Sequence, residues 1–396
     1  MPKSNRLILK DCQLYNQRSG PLTDILIENG HIISIGTFTA ETSAEVIDAN
    51  GKIVAPGFID VHIQGAGGCD VLDASVDSLK TMSQTLARFG VTDFLATTVM
   101  NPDQDNGHLK SLAKHWKDDL GGARILGLHL EGPFINPEKR GGITRSAIYP
   151  ASDDRLEEIF DITGDSLKMM TIAPELEGNQ IVIDQLIQRG GIPSFGHSRA
   201  NYQQTKEAFA NGIGHVTHIF NAMLPLHHRE PGPLLAILES ETVSVQIISD
   251  GVHLHPGIVR YLYNSICIDR CVCITDGIQA IGLPEGKYVY NGRDYFSKDG
   301  AARYEDGTLI GTALAVNEIG ARFQKFTSCN LEDAVNSISL NPARLLGLDD
   351  RKGSIEAGKD ADLVVMTPDF KVELTLVGGS VVYKTKRPDC RIRPPS

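Results

Sequence analysis

The residues of this sequence best suited to chemistry are six ionisable side chains, each of which follows a short apolar run. They are His62, Glu131, His197, His218, His253 and Asp276. A single His or Asp at the end of a strand is more often a helix cap or a turn residue, but six in series favour a shared site. Two histidines and a carboxylate form a good site for a borderline divalent metal such as zinc or iron, with a fourth position open to water.

That combination of side chains predicts a hydrolytic reaction. A metal held by two imidazoles and a carboxylate lowers the pKa of a bound water to about 7, which provides a hydroxide able to attack a carbonyl at neutral pH. A carboxylate that does not bind the metal, such as Asp276, would act as the general base and would then protonate the leaving group.

The middle of the chain carries the pattern needed to bring these residues together. From residue 56 to 352, short apolar runs alternate with segments of helical periodicity. The predicted strands are 91–98, 124–130, 168–172, 192–195, 215–220, 244–249 and 271–275, and the predicted helices are 78–89, 107–118, 181–189 and 203–211. Strand, helix, strand at this spacing implies parallel pairing, and about eight such units close into a (β/α)8 TIM-type barrel whose strand ends converge on one face.

The two ends of the chain resemble each other and differ from the middle. Residues 1–55 alternate apolar and polar positions, and Asn29-Gly30 is a strong hairpin signal between predicted strands 24–28 and 31–35. Residues 353–396 return to the same strand-and-turn pattern. We therefore predict an α/β protein in which a barrel, residues 56–352, is inserted into a small β-sandwich domain built from both termini.

The composition favours a small-molecule substrate. The chain has 396 residues, with 38 Lys and Arg against 49 Asp and Glu, and no long basic run, so a nucleic-acid or anionic-membrane partner is not expected. No segment approaches the roughly 20 apolar residues of a membrane span. The seven cysteines are an odd number scattered along the chain, which indicates no disulfide framework and favours a reducing compartment. These features predict a cytoplasmic protein.

A series of motifs, in this order, resembles the N-acetylglucosamine-6-phosphate deacetylases of the amidohydrolase superfamily. The motifs are PGFIDVH at 56–62, HLEGPF at 129–134, GHS at 196–198, THIFNAM at 217–223, REPG at 229–232, SDGVH at 249–253, TD at 275–276 and GSIEAGKDAD at 353–362. The resemblance covers nearly the whole chain, and the pairing of LEGP with HIFNAM is specific. It implies metal-dependent hydrolysis of the N-acetyl group of N-acetylglucosamine 6-phosphate to glucosamine 6-phosphate and acetate.

The resemblance also assigns roles to particular residues. Glu131, His197 and His218 match the family's metal ligands, and Asp276 matches its catalytic acid/base. Four further positions match groups that hold the substrate: the Asn221 and Ala222 backbone, Arg229 and His253. In the family this arginine reaches across a dimer interface, which predicts a homodimer here. A dianionic phosphate on an acidic protein does need a guanidinium and N–H donors close by.

The first departure from the family pattern concerns the number of metals. Where the superfamily often has His-x-His, this chain has His62, Ile63 and Gln64. Because a neutral amide is a poor zinc ligand beside imidazole and carboxylate, we expect one divalent ion per subunit. Zinc is the first expectation, with iron, manganese or cobalt as alternatives. His62 is then expected to bind water or to pack, with a weak second metal site as the alternative, and His129 to lie behind the ligands.

The second departure follows Glu131. Many family members have a substrate-facing histidine where this chain has Ile143, and an isoleucine side chain cannot donate a hydrogen bond. The substrate contact that the family's histidine makes is therefore lost or supplied by another residue, for which His227, His228 and His255 are candidates. Two alternatives to the leading function stay open on this basis. The first is a deacetylase of another acylated amine such as N-acetylgalactosamine 6-phosphate, and the second is a catalytically silent binding homologue.

Overall fold

The computed structural model describes residues 6–17, 20–38, 44–101, 105–290 and 292–385. Within them the strands are β1 Arg6–Leu14, β2 Thr23–Glu28, β3 His31–Gly36, β4 Glu45–Asp48, β5 Ile53–Pro56, β6 Phe58–Ile63, β7 Gly65–Ala66, β8 Cys69–Asp70, β9 Val91–Thr98, β10 Arg124–Glu131, β11 Leu167–Ile172, β12 Ile192–Phe195, β13 His215–Val216, β14 Ser244–Ile247, β15 Cys271–Cys273, β16 Gly286–Tyr290, β17 Arg293–Lys298, β18 Ala301–Tyr304, β19 Leu309–Thr312, β20 Leu363–Met366, β21 Val372–Val377 and β22 Ser380–Lys384. The α-helices are α1 Val76–Ala87, α2 Gly107–His115, α3 Asp153–Thr163, α4 Asn179–Gln188, α5 Tyr202–Ala210, α6 Gly232–Glu239, α7 Pro256–Ser265, α8 Val316–Thr327, α9 Leu331–Asn336 and α10 Leu340–Leu345.

Eight parallel strands form the predicted barrel. Their order is β6-β9-β10-β11-β12-β13-β14-β15, and every neighbouring pair is parallel. The ring closes just beyond β15, where the Asp276 backbone N–H donates to His62 O at 3.0 Å and the Gln64 N–H donates to Gly277 O at 2.8 Å. The strands carry almost continuous buried side chains because helices cover the outside of the sheet. The prediction of an α/β barrel fold is confirmed.

Most predicted barrel elements have the expected bounds, but β13 is shorter than the predicted 215–220. The chain leaves the strand after Val216 because His218, Phe220 and Ala222 adopt positive φ angles of 26°, 74° and 52°. Such angles lie in the left-handed region, where the extended ladder cannot continue. The turn directs the His218 side chain toward the mouth of the barrel.

The strands near the two termini form one further sheet, in the order β22-β21-β20-β5-β1-β2-β3 with β4 beside β1. Asn29 and Gly30 connect β2 and β3 with φ of 51° and 85°, which is the pair of left-handed residues that a tight hairpin favours. One apolar cluster unites side chains such as Leu9 and Val54 from the first part of the chain with Leu363 from the last. Residues 1–5 and 386–396 of the predicted terminal segments lie outside the described residues.

An antiparallel meander, β16 to β19, follows β15 and was not among the predicted elements. It attaches to the barrel where Thr312 N–H donates to Asp276 O at 2.9 Å and Ile278 N–H donates to Thr312 O at 3.1 Å. Its tyrosines 290, 295 and 304 pack with Ile278 in one apolar cluster. The meander therefore lies against the same end of the barrel as Asp276. In the part of the chain that the structure describes, no helix combines the length and the apolar character needed to cross a membrane.

Candidate metal centre and active site

Glu131, His197 and His218 meet in a compact triangle at the C-terminal ends of the barrel strands. Glu131 is the last residue of β10, and the two histidines follow β12 and β13. The Glu131 Oε1 atom lies 3.0 Å from Nε2 of each histidine, and the two Nε2 atoms lie 3.1 Å apart. All three residues are buried. Three ligand atoms from distant parts of the sequence thus surround one point.

The chemistry of this donor set fits a divalent cation. His197 Nδ1 lies 2.7 Å from Lys139 O, and since a carbonyl only accepts, Nδ1 is a donor and Nε2 is the nitrogen turned toward Glu131. Burial lowers the pKa of His218, which favours the neutral imidazole that binds a metal. Two imidazole nitrogens and one carboxylate oxygen about 3 Å apart match the ligands of a tetrahedral site with zinc–ligand distances of about 2.0–2.1 Å.

His62 and Asp276 form an ion pair beside the triangle. His62 Nε2 lies 3.2 Å from Asp276 Oδ1 and 3.7 Å from Glu131 Oε2. Its Nδ1 faces Gln246 Oε1 at 2.9 Å, which fixes Nδ1 as a donor because an amide oxygen only accepts. Burial alone would lower the pKa of His62, but the Glu131 and Asp276 carboxylates together outweigh it and raise the pKa to about 9.

The backbone of three site residues adopts an uncommon conformation. His197, His218 and Asp276 have φ values of 47°, 26° and 48°, although none is a glycine. Left-handed backbone costs about 1–3 kcal/mol at a residue with a β carbon, and it persists where the surrounding structure fixes it. Such residues concentrate at functional sites, so the strain is a second, independent indication that these strand ends form one.

The triangle opens into a cavity of about 170 Å³. Its polar lining includes Asn221 and His253 beside the metal-ligand candidates and Asp276. Its apolar lining includes Val99, Ile143, Leu309 and Ile310, of which the last two belong to the meander. The cavity therefore combines the candidate catalytic groups with apolar side chains.

Comparison with known proteins identifies the family to which the chain belongs. The amidohydrolase family model matches residues 53–382. An N-acetylglucosamine-6-phosphate deacetylase from Bacillus subtilis (strain 168) is 34% identical, with 97% of this chain and 98% of that protein covered. The chain belongs to the N-acetylglucosamine-6-phosphate deacetylase family of amidohydrolases. A protein of Escherichia coli O157:H7 named N-acetylgalactosamine-6-phosphate deacetylase is 33% identical, over 85% of this chain and 89% of that one.

Solved structures of the same family share the fold. The N-acetylglucosamine-6-phosphate deacetylase from Thermotoga maritima superposes with a TM-score of 0.85 at 33% identity, covering 96% of this chain and 100% of that one. A mutant of the Mycobacterium smegmatis N-acetyl-D-glucosamine-6-phosphate deacetylase, in complex with N-acetyl-D-glucosamine-6-phosphate, superposes with a TM-score of 0.86 at 28% identity, over 96% and 99% of the two chains. As a family member, this chain is a hydrolase that acts on an amide.

Other residues predicted for this deacetylase-family chain lie at different distances from the cavity. His253 Nδ1 is 2.6 Å from Asp250 Oδ2, and its Nε2 is 3.9 Å from Asp276 Oδ2. Arg229 lies in an exposed loop, where its Nη1 is 2.8 Å from His228 Nε2, and it does not line the cavity. The other candidates for the lost histidine contact, His227 and His255, are exposed and do not line the cavity either.

His129 lies behind His62. Its Nε2 is 2.8 Å from Thr171 Oγ1, its Nδ1 is 3.2 Å from Val61 O, and its ring packs edge-on against His62 with centroids 4.7 Å apart. Asp60 accepts from the Thr275 hydroxyl at 2.6 Å and from the His62 backbone N–H at 3.2 Å. Asp60 thus ties the first and last barrel strands together, while Gln246 orients the His62 ring.

Two site residues were missed by the sequence analysis. Gln246 is fully buried in β14 between Val245 and Ile247, and an amide between two buried apolar residues could have drawn attention. Tyr290 lines the cavity and donates a short hydrogen bond to Gln64 Oε1, while Gln64 Nε2 lies 3.4 Å from Glu131 Oε2. The Asn291-Gly292 dipeptide that follows Tyr290 is a hairpin signal that could have revealed the meander.

Proposed function

We propose that this amidohydrolase removes the N-acetyl group from N-acetylglucosamine 6-phosphate to give glucosamine 6-phosphate and acetate. The observation that carries the proposal is the convergence of Glu131, His197 and His218 beside Asp276 at the floor of one cavity. Relatives named for this reaction cover almost the whole chain. The Mycobacterium smegmatis relative in complex with the same sugar phosphate superposes over 96% of this chain. N-acetylgalactosamine 6-phosphate, the epimer, is the substrate whose rate of hydrolysis is to be compared with it.

We propose further that Glu131, His197 and His218 hold one divalent cation, with zinc first and iron, manganese or cobalt as alternatives. The two imidazoles and the carboxylate support this assignment, since they are ligands that zinc favours. When bound, the cation would supply activation of water and polarisation of the amide carbonyl. The poor donor strength of the Gln64 amide supports one ion rather than two.

Asp276 is the proposed general base and acid. Its Oδ1 is engaged by His62 Nε2, which leaves Oδ2 facing the cavity. Oδ2 accepts a proton from the attacking water and returns it to the amine nitrogen as the C–N bond of the amide breaks. His62, held by Gln246 on its far side, keeps the Asp276 carboxylate in place.

Arg229 is proposed to bind the phosphate from the neighbouring subunit of a homodimer, together with Asn221, Ala222 and His253. Two observations support this role. Arg229 is exposed and does not line the cavity of its own subunit, and the chain has a net charge of −11, so an anionic substrate needs a local cation. The cytoplasmic location stays a prediction. We also propose the domain limits 1–55, 56–352 and 353–396.

Replacing Arg229 with alanine should raise KM for the phosphorylated substrate by about 10- to 100-fold, since a hydrogen bond between charged groups contributes about 1.5–3 kcal/mol. KM for the same sugar without phosphate should stay unchanged. Arg303→Ala is a matched control, because Arg303 contacts Gly307 O in the meander rather than the cavity. An equal effect of Arg229→Ala on both substrates, or a monomer in sedimentation analysis of the wild type, would count against the proposed clamp.

The direct test combines elemental analysis with an acetate-release assay on the full chain. We expect one equivalent of a divalent metal per subunit, and faster acetate release from N-acetylglucosamine 6-phosphate than from the galactosamine epimer. Exhaustive chelation should abolish acetate release, and added zinc should restore it. If the chain held a metal but preferred the galactosamine epimer, the proposed substrate would be wrong and the proposed reaction would stand. If the chain neither bound a metal nor hydrolysed the amide, the alternative of a catalytically silent binding homologue would be favoured.

A further inference from the structure

Tyr290 connects the antiparallel meander to the candidate metal centre. It is the last residue of β16, it is 8% exposed, and its side chain lines the cavity. Its hydroxyl is hydrogen-bonded to Gln64 Oε1, and Gln64 Nε2 lies 3.4 Å from Glu131 Oε2. A continuous polar chain therefore runs from the meander through Gln64 to the carboxylate oxygen of Glu131 that does not face the two histidines.

The neighbours of the Gln64 amide determine which way it is turned. An ionised carboxylate accepts hydrogen bonds and donates none, so the amide must present its NH2 group to Glu131. Its oxygen then faces Tyr290, whose phenol is the donor. In the opposite orientation, two acceptor oxygens would oppose each other across the contact between Gln64 and Glu131. Burial is the largest cause that raises the pKa of the Tyr290 phenol, so this donor keeps its proton.

The two oxygens of Glu131 have different surroundings. Oε1 lies 3.0 Å from Nε2 of both His197 and His218, whereas Oε2 faces the Gln64 amide at 3.4 Å and His62 Nε2 at 3.7 Å. One oxygen thus faces the candidate ligands and the other faces the NH2 group of Gln64. A carboxylate that receives hydrogen bonds on one oxygen is oriented to bind a metal through the other.

We propose that Tyr290 is a positioning residue that keeps the oxygen of the Gln64 amide turned away from the metal centre. In this role it has two consequences. The Gln64 oxygen, the atom that could bind a second cation, is occupied by the phenol, and Glu131 presents Oε1 alone to the triangle. The inference rests on the proposed metal function and deepens it, because a residue outside the eight βα units then helps to set both the affinity for one ion and the number of ions.

The meander is suited to this task. Tyr290 pairs with Arg293 at the β16–β17 turn, and its ring packs in a buried cluster with Tyr304 and Ile310. Packing of this kind fixes the side-chain rotamer and hence the position of the hydroxyl. A second buried tyrosine of the same sheet, Tyr295, has a hydroxyl with no hydrogen-bonded side chain. It provides a matched control in which a hydroxyl is lost from the same environment without any contact to Gln64.

The first test measures zinc alone, without substrate. Tyr290→Phe removes the hydroxyl and frees the Gln64 amide to turn, so the zinc Kd from competition with a chromophoric chelator should rise about tenfold or more, as is typical when the support of a metal ligand is removed. Tyr295→Phe should keep the wild-type Kd. Equal zinc affinity in Tyr290→Phe and the wild type would overturn the proposal, as would an equal loss in both tyrosine variants.

A double-mutant cycle separates positioning through Gln64 from a general effect on the fold. Gln64→Leu removes the amide while keeping a similar volume, and it should weaken zinc binding about as much as Tyr290→Phe does. Because Tyr290 acts through Gln64, adding Tyr290→Phe to Gln64→Leu should change the Kd little further. Fully additive losses would overturn the proposal. A wild-type chain that binds no zinc would overturn the proposed metal function itself, whereas normal wild-type binding with an unaltered Tyr290→Phe would overturn the role of Tyr290 alone.

Discussion

Replacing Asp276 with asparagine is expected to reduce kcat for acetate release by about 10²- to 10⁴-fold, the usual contribution of a general acid–base group. This corresponds to about 3–5 kcal/mol in the activation free energy. The amide of asparagine is nearly the same size as the carboxylate, but it cannot take a proton from water. The metal should stay bound, because the ligand triangle consists of Glu131, His197 and His218 and does not include Asp276. KM should change little.

The measurement needs both the rate and the metal content of the same preparation. Asp70→Asn is the matched control: Asp70 is also a buried carboxyl at this end of the barrel, and burial raises its pKa to about 8, so at pH 7 it is largely neutral already. Its replacement by a neutral amide should leave kcat close to the wild-type value. If Asp276→Asn kept near-wild-type activity with full metal content, Asp276 would have no proton-transfer role.

The positions of the metal-ligand candidates could be predicted because they depend on a simple rule of parallel barrels. Each residue follows an apolar run, and the C-terminal ends of such runs meet on one face whatever their separation in sequence. Glu131, His197 and His218 come from three successive parts of the barrel, yet their ligand atoms lie within 4.8 Å of one another. The spacing of the βα units was sufficient to place them together.

The surroundings of the centre could not be predicted in the same way. Tyr290 belongs to an antiparallel insertion that does not follow the βα pattern, and its contact with Gln64 depends on how that insertion packs. Gln246 lies in a predicted strand, but alternation does not reveal that its amide would meet His62 from another strand. The shortening of β13 depends on left-handed residues such as His218, which a short apolar run does not reveal. Arg229 needs a second subunit to acquire its proposed role.

The largest effect on stability is expected at Lys352. Lys352→Met should destabilise the protein by about 3–5 kcal/mol, the usual cost of leaving a buried charge network without its partner. Lys352 is 4% exposed, and its Nζ lies 3.1 Å from Asp93 Oδ1, 3.2 Å from Asp360 Oδ2 and 2.6 Å from Asp362 Oδ2. Asp93 belongs to barrel strand β9 and the other two carboxylates precede β20, so this cluster joins the barrel to the terminal sheet. Met keeps most of the volume and removes the charge.

The loss of stability in Lys352→Met should depend on pH. The charges around Asp362 determine whether that loss grows or shrinks as the pH rises. Burial would raise the pKa of Asp362, but Lys352 and Arg124 outweigh it and lower the pKa, so in the wild type this carboxylate contributes stability above the unfolded-state pKa of about 4. That contribution is lost as the pH falls through the lower folded-state value. Without Lys352, Arg124 is left beside both Asp93 and Asp362 and cannot neutralise the two together, so burial should raise the pKa of Asp362 above that of the unfolded chain. The sign then reverses, and the folded variant loses stability as the pH rises above about 4.

Unfolding midpoints of Lys352→Met and the wild type, measured near pH 5.5 and pH 7.5, test both statements. The deficit of the variant should be larger at pH 7.5, because more of its buried carboxyls must then ionise without a partner. Arg344→Met is the matched control, since it breaks an exposed pair with Asp269 at 2.8 Å and should cost at most about 1 kcal/mol at either pH. A Lys352→Met deficit no larger than that of Arg344→Met, or one that shrinks as the pH rises, would mean that Lys352 does not neutralise these carboxylates. The junction between the barrel and the terminal sheet would then depend mainly on its other contacts, among them the hydrogen bond from the Thr375 hydroxyl to Ala87 O at 2.8 Å.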